Sequence, residues 1–149
     1  MKNLLFFLLL LPVITQAQFY VDLGGGIHHS PLTTHHSPVI MPIIKISVGY
    51  QVSNIIAEAV MQPTLSRVVN SPNYFGGKIG YNIAGSGLIP SAGYYFNLCN
   101  ADNPENNGWY PGYSLKYQHA INDNGGLYAE AMYINHSVSI TAGFMISFN

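Results

Sequence analysis

From residue 18 onward, large apolar side chains alternate with small or polar ones in about eight segments of the chain. In the second segment Ile44, Ile46, Val48, Tyr50 and Val52 interleave with Lys45, Ser47, Gly49 and Gln51. In the last, Val138, Ile140, Ala142, Phe144, Ile146 and Phe148 are set against Ser139, Thr141, Gly143, Met145 and Ser147. Successive side chains of an extended strand point to opposite faces, so a period of two predicts strands with one apolar and one polar face. The predicted strands are 19–28, 41–53, 55–64, 74–83, 88–97, 109–119, 127–134 and 138–148. Most are close to the roughly 9–11 residues with which a tilted strand crosses a bilayer. Their connections alternate long and short up to the last, around Asn135 to Ser137, which is short where a long one is due.

Alternation alone also fits a soluble barrel, so the contents of each face decide the arrangement. The polar face carries Asp22, Lys45, Glu58, Lys78, Lys116 and Glu130, too few charges for a water-exposed wall and enough for an internal network. It also carries Gly24, Gly26, Gly49, Gly76, Gly80, Gly93, Gly112 and Gly143, which suit the crowded lumen of a narrow barrel, whereas the apolar face has only Gly25 and Gly77. Phe19, Tyr50, Tyr81, Tyr117 and Phe148 stand at one end of the apolar face, and Phe75, Phe96 and Trp109 near the other. Two aromatic girdles match the two interfaces of a bilayer. The predicted fold is all-β, an eight-stranded antiparallel up-and-down transmembrane β-barrel with its polar face inward. Along the strand order the lumen charges alternate in sign, so each buried charge has a candidate partner. Such a network plugs a closed interior, or else serves as a proton relay or gate.

Composition supports this. Only 7% of residues are charged, against roughly 25% in soluble proteins, while hydrophobic residues reach 48%. Five basic and six acidic residues give no basic surface for nucleic acid. The short basic start Met1 to Asn3, the apolar run Leu4 to Ile14 and the small-residue site Thr15-Gln16-Ala17 predict a cleaved signal peptide over 1–17, leaving 18–149 as the barrel domain. Cys99 is the lone cysteine, which excludes an intrachain disulfide.

The signal, the glycine-rich start Phe19-Tyr20-Val21-Asp22-Leu23-Gly24-Gly25-Gly26, the eight alternating segments and the final Met145-Ile146-Ser147-Phe148-Asn149 together resemble the small bacterial outer-membrane barrels of the OmpA/OmpX type, over 18–149. Members commonly end on an aromatic residue read by the insertion machinery; here Asn149 follows Phe148. The resemblance implies the bacterial outer membrane as location, with its lipids and the barrel insertion machinery as partners. It implies no single activity.

Catalysis by this chain is not expected. Lipid A deacylases of barrel type carry His-x-Ser-Asn on a lipid-facing strand, and the nearest match, His119-Ala120-Ile121-Asn122, lacks the nucleophilic hydroxyl. His36-Ser37 and His136-Ser137 are sequence neighbours whose side chains point apart on a strand. Binding chemistry rests on histidines: His28, His29, His35 and His36 bracket the first long loop, and barrel closure brings His136 to the same rim. Neutral imidazoles suit a divalent transition metal, weakly held, as the one candidate cofactor. The reading from sequence is therefore a monomeric barrel that presents its extracellular loops to an unknown ligand, with no catalytic activity. Ligand or metal binding through the rim histidines, and a narrow ion channel, are the alternatives.

Overall fold

The structure is a computed structural model that describes residues 17–30, 39–66, 71–98 and 107–148. It contains eight strands: β1 (Ala17–Ser30), β2 (Val39–Val52), β3 (Ile55–Gln62), β4 (Tyr74–Tyr81), β5 (Leu88–Asn97), β6 (Gly108–Asn122), β7 (Gly125–Ile134) and β8 (Ser137–Phe148). Each pairs antiparallel with the next and β8 pairs with β1, so the sheet closes into a barrel with no free edge. Short turns join β2 to β3, β4 to β5 and β6 to β7 at the end where both termini of the barrel lie, which is the periplasmic end in barrels of this build. The last hairpin turns on Asn135 and His136, both with positive φ (47° and 61°), as a two-residue primed turn requires. That explains how the connection dispenses with a long loop.

The two faces separate as their residues dictate. Leu23, Ile27, Val48, Ile79, Tyr94, Trp109, Phe144 and Phe148 are exposed on the outside, and all six strand-borne charges are buried inside. A water-facing protein would bear the cost of that exterior, whereas hydrocarbon bears none. The predicted girdles are in place, with Phe19 against Tyr50 at the periplasmic rim (centroids 4.8 Å apart) and Phe96 against Trp109 at the other (5.5 Å).

The glycines follow the same division. A β-carbon built on Gly112 would come within 2.6 Å of the Tyr95 ring, and at Gly49 it would enter the ring of Tyr20. On the outside, by contrast, Gly25 and Gly77 meet nothing nearer than 3.7 and 3.8 Å. Lumen glycines thus make the floor on which inward tyrosines lie.

Strand ends differ modestly from expectation. β1 starts at Ala17, the residue expected to end the signal peptide, and pairs it with Val52, while residues 1–16 lie outside the described residues. β6 continues three residues past the predicted end, through a register shift between Ala120 and Asn122. Pro90 falls within β5, just beyond the last β4–β5 pair at Gly80 and Ser91. Likewise Pro111 precedes the first β6–β7 pair at Gly112, and Pro42 lies outside the β2–β3 ladder, which ends at Ile46. Pro90 and Pro111 thus sit where only one flanking ladder runs, whereas Pro42 is flanked on its second side by the Leu65 amide, which donates to its carbonyl oxygen (2.8 Å).

Candidate functional site

The strands bring all six predicted lumen charges into one layer. Lys45 on β2 contacts Asp22 on β1 (3.6 Å), Glu58 on β3 (3.1 Å) and Glu130 on β7. Lys78 on β4 contacts Glu58 (3.5 Å) and Glu130, and Lys116 on β6 contacts Glu58 (3.1 Å) and Asp22. Three lysines meet three carboxylates, so the layer is neutral. Its members have essentially no exposure: Asp22 and Lys116 are 0% accessible and Lys45 is 1%. Removing an ion from water costs several kcal/mol even in real proteins, and a layer in which every charge has at least two opposite partners is how such a cost is offset.

Three of the pairings that strand order suggests are present, Asp22 with Lys45, Lys45 with Glu58 and Glu58 with Lys78, but the fourth is not. Lys116 and Glu130 are direct cross-strand partners in register, yet Glu130 turns to Lys45 and Lys78, and Lys116 reaches across to Asp22 and Glu58. In a barrel this narrow the far wall is as close as the neighbouring strand, so side chains from opposite sides meet on the axis.

Four polar residues join the layer that the charge pattern alone did not single out. Tyr20 donates to Glu58 Oε2 (3.0 Å), Ser47 donates to Asp22 Oδ2 (3.0 Å), and Lys78 donates to Ser114 Oγ (3.3 Å). The ammonium groups of Lys116 and Lys45 stand 4.7 Å from the ring centres of Tyr20 and Tyr128 respectively. All four share the sequence parity of the lumen charges, and that parity was the available signal.

Apolar layers lie above and below. On the periplasmic side Tyr20, Ile56 and Ile89 form one buried cluster, and on the opposite side Val60, Tyr74, Tyr95, Met132 and Ile134 form another. The charged layer is thus sealed from both mouths, and beyond the lower cluster a polar vestibule of about 490 Å³, lined by Gln18, Gln51, Gln118 and Ser147, opens at the periplasmic end.

The histidines do not share one environment. His28 is buried on the lumen side, with Nδ1 2.7 Å from Ser139 Oγ and its ring 5.7 Å from that of Tyr74. His29, the next residue, takes the outer face, and His136 contacts the Tyr133 hydroxyl (3.3 Å) in the last turn. His35 and His36 lie outside the described residues, as does Cys99. Among the described residues no group of three or more His, Cys, Asp or Glu side chains is arranged to hold a metal ion. His136 and Ser137 form no dyad, since the serine hydroxyl faces Ser30 Oγ (3.5 Å). His119 is exposed on the outer wall, as is Ile121. One feature escaped the sequence altogether: both amide atoms of buried Gln62, and Nε2 of His28, have no hydrogen-bond partner.

No protein-family profile matches the sequence, and a search of curated proteins found no match. Solved structures do match in fold. Neisserial surface protein A (NspA) superposes with a TM-score of 0.57 at 16% identity, over 87% of this chain and 97% of that one. Ail, the attachment invasion locus protein of Yersinia pestis, solved with the heparin analogue sucrose octasulfate, gives 0.54 at 11% identity over 89% and 99%. The outer membrane protein AlkL, solved in lipid bilayers, gives 0.54 at 11% over 90% and 91%. At these identities the likeness is one of architecture, and the architecture is that of the small eight-stranded outer-membrane barrels.

Proposed function

We propose that this chain, an outer-membrane barrel by its fold, is a closed membrane anchor that holds the connections 31–38, 63–73 and 98–107 outside the cell for interaction, and that it neither conducts nor catalyses. The observation that carries this reading is the neutral charged layer sealed between two apolar clusters. A transport path needs a wet route past these charges, yet the layer's members have almost no accessible surface. With the wall facing hydrocarbon and the lumen closed at its middle, the extracellular connections are the part free to specialise.

Ail was solved with a polyanion, but the corresponding segments here suit a different partner. They contain one basic residue, Arg67, and two acidic ones, Asp102 and Glu105. A ligand recognised by these loops is therefore met through neutral polar side chains, histidine and proline rather than through a basic cluster. Of the rim histidines, His28 faces the lumen with Nδ1 against Ser139 Oγ and His29 takes the outer face, while His35 and His36 lie outside the described residues.

Planar-bilayer recording tests the closed reading. The folded barrel should give no stable conductance steps, and neither should a variant with residues 31–38 replaced by a short glycine-serine turn. Large, long-lived steps from either protein would replace the anchor with a pore.

A further inference from the structure

The outer wall is not uniform. On β3, β4 and β5 its mid-strand side chains shrink to Ala57, Ala59, Gly77 and Ala92, leaving a depression of about 760 Å³ bounded by Val48, Tyr94 and Tyr113. A second depression of about 510 Å³, edged by Ile55, Tyr81 and Pro90, adjoins it and shares Ile79 and Ala92 with it. They meet at Ile79, which projects between them, and together they make an apolar groove that runs along β4 and β5 past this side chain and opens at the periplasmic rim beside Tyr81. On the opposite flank Leu23, Phe144 and Ile140 project at full size. The groove also lies where the wall is shortest, since β3 and β4 have 8 residues each while β1 and β2 have 14. A bilayer meeting a short apolar wall must thin locally or be filled.

We propose that this groove is a binding site for one acyl chain of a phospholipid in the periplasmic leaflet. This rests on the reading of the chain as a membrane-inserted barrel. The chemistry of the groove favours hydrocarbon: its lining is mainly apolar, most of its backbone donors and acceptors are spent in the β3–β6 ladders, and methylene groups are what such a trough can hold. Its length selects the leaflet. From Pro90 to Tyr94, four residue steps of β5 cover about 13 Å of strand, which at a tilt of about 40° is roughly 10 Å along the membrane normal, within one half of a hydrocarbon core of about 30 Å. Its opening selects the side, because Tyr81, whose hydroxyl accepts from Asn54 Nδ2 at 3.4 Å, and the adjoining turn place a headgroup at the periplasmic interface.

The test uses the full barrel in vesicles of phosphatidylethanolamine and phosphatidylglycerol doped with a phospholipid bearing a diazirine in its acyl chain. After irradiation, labelled peptides are counted by mass spectrometry. Label on β3–β5 should exceed label on β8–β1 several-fold. Filling the groove with Gly77→Leu and Ala59→Leu should bring the two flanks level while leaving β8–β1 unchanged. Both substitutions face hydrocarbon, and a β-carbon at Gly77 meets nothing nearer than 3.8 Å, so folding is expected to survive and is checked by heat-modifiable mobility on gels. Even label around the barrel, or label on β3–β5 that ignores the filling residues, would overturn the proposal. Equal enrichment with a diazirine-bearing lipid A restricted to the outer leaflet would overturn the leaflet assignment. Disulfide-linked dimers of Gly77→Cys in a Cys99→Ser background would give the groove to a second copy. A folded barrel that takes no label on any strand would instead strike at its residence in the membrane.

Discussion

At Gly49 the ring of Tyr20 occupies the place of a β-carbon, and the ring cannot swing away freely because its hydroxyl is bonded to Glu58. Gly49→Ala should therefore destabilise the barrel by about 1–3 kcal/mol, the usual cost of overpacking. Gly25→Ala, on the open outer face, should stay within about 0.5 kcal/mol of the parent; urea titration in liposomes compares the two. The face of each glycine could be read from parity alone. Which tyrosine covers which glycine could not, because that depends on how far one strand is staggered against the next. Charge behaves similarly. Glu130 serves both Lys45 and Lys78, so Glu130→Gln leaves two buried ammonium groups short of a partner and should cost about 3–5 kcal/mol. Adding Lys78→Met restores neutrality, and the double variant should be more stable than the sum of the single losses predicts, by about 0.5–3 kcal/mol in the same titration.

Individual strands were largely legible because each carries its own two-residue period, and the β5 boundaries predicted from alternation coincide with those observed. The ends of β1 and β6 were not, since pairing with a neighbour prolongs a strand after its own pattern fades. Gly125 and Gly126 hold the end of β6 in place although Ala120, Ile121 and Asn122 no longer alternate cleanly. The β1–β8 seam was likewise beyond local pattern: its register, Phe19 with Phe148 through His29 with Val138, is fixed only by closure. A strand that separates lipid from lumen makes a sharp prediction. Leu23→Lys, in the middle of β1 and exposed on the wall, should cost about 2–4 kcal/mol in bilayers. Gln51→Lys, at the periplasmic mouth on the polar face of β2, should cost far less. Reversible unfolding of the two variants measures the difference, and comparable penalties would mean that the faces are inverted.

For the whole molecule, orientation follows from the placement of the short turns, and Cys99 offers a way to read it. β5 ends with Asn97 at the end of the barrel away from the termini, and Cys99 follows two positions later in the sequence. A membrane-impermeant maleimide should label it on intact cells at native abundance, and labelling only after rupture of the outer membrane would turn the barrel over. The cross-lumen ion pairs also bear on how such a ring comes to exist. Asp22 with Lys116, Glu58 with Lys116, Lys45 with Glu130 and Lys78 with Glu130 all join strands that are not neighbours. These four contacts span the lumen and need the closed barrel, whereas Lys45 with Asp22, Lys45 with Glu58 and Lys78 with Glu58 join neighbouring strands and need only their pairing. Closure thus adds a second set of partners to charges that neighbouring strands already pair in part, so the lumen proofreads assembly by degree: the finished circle with β1, β2, β3, β4, β6 and β7 in the right stagger gains contacts that a half-assembled ribbon lacks.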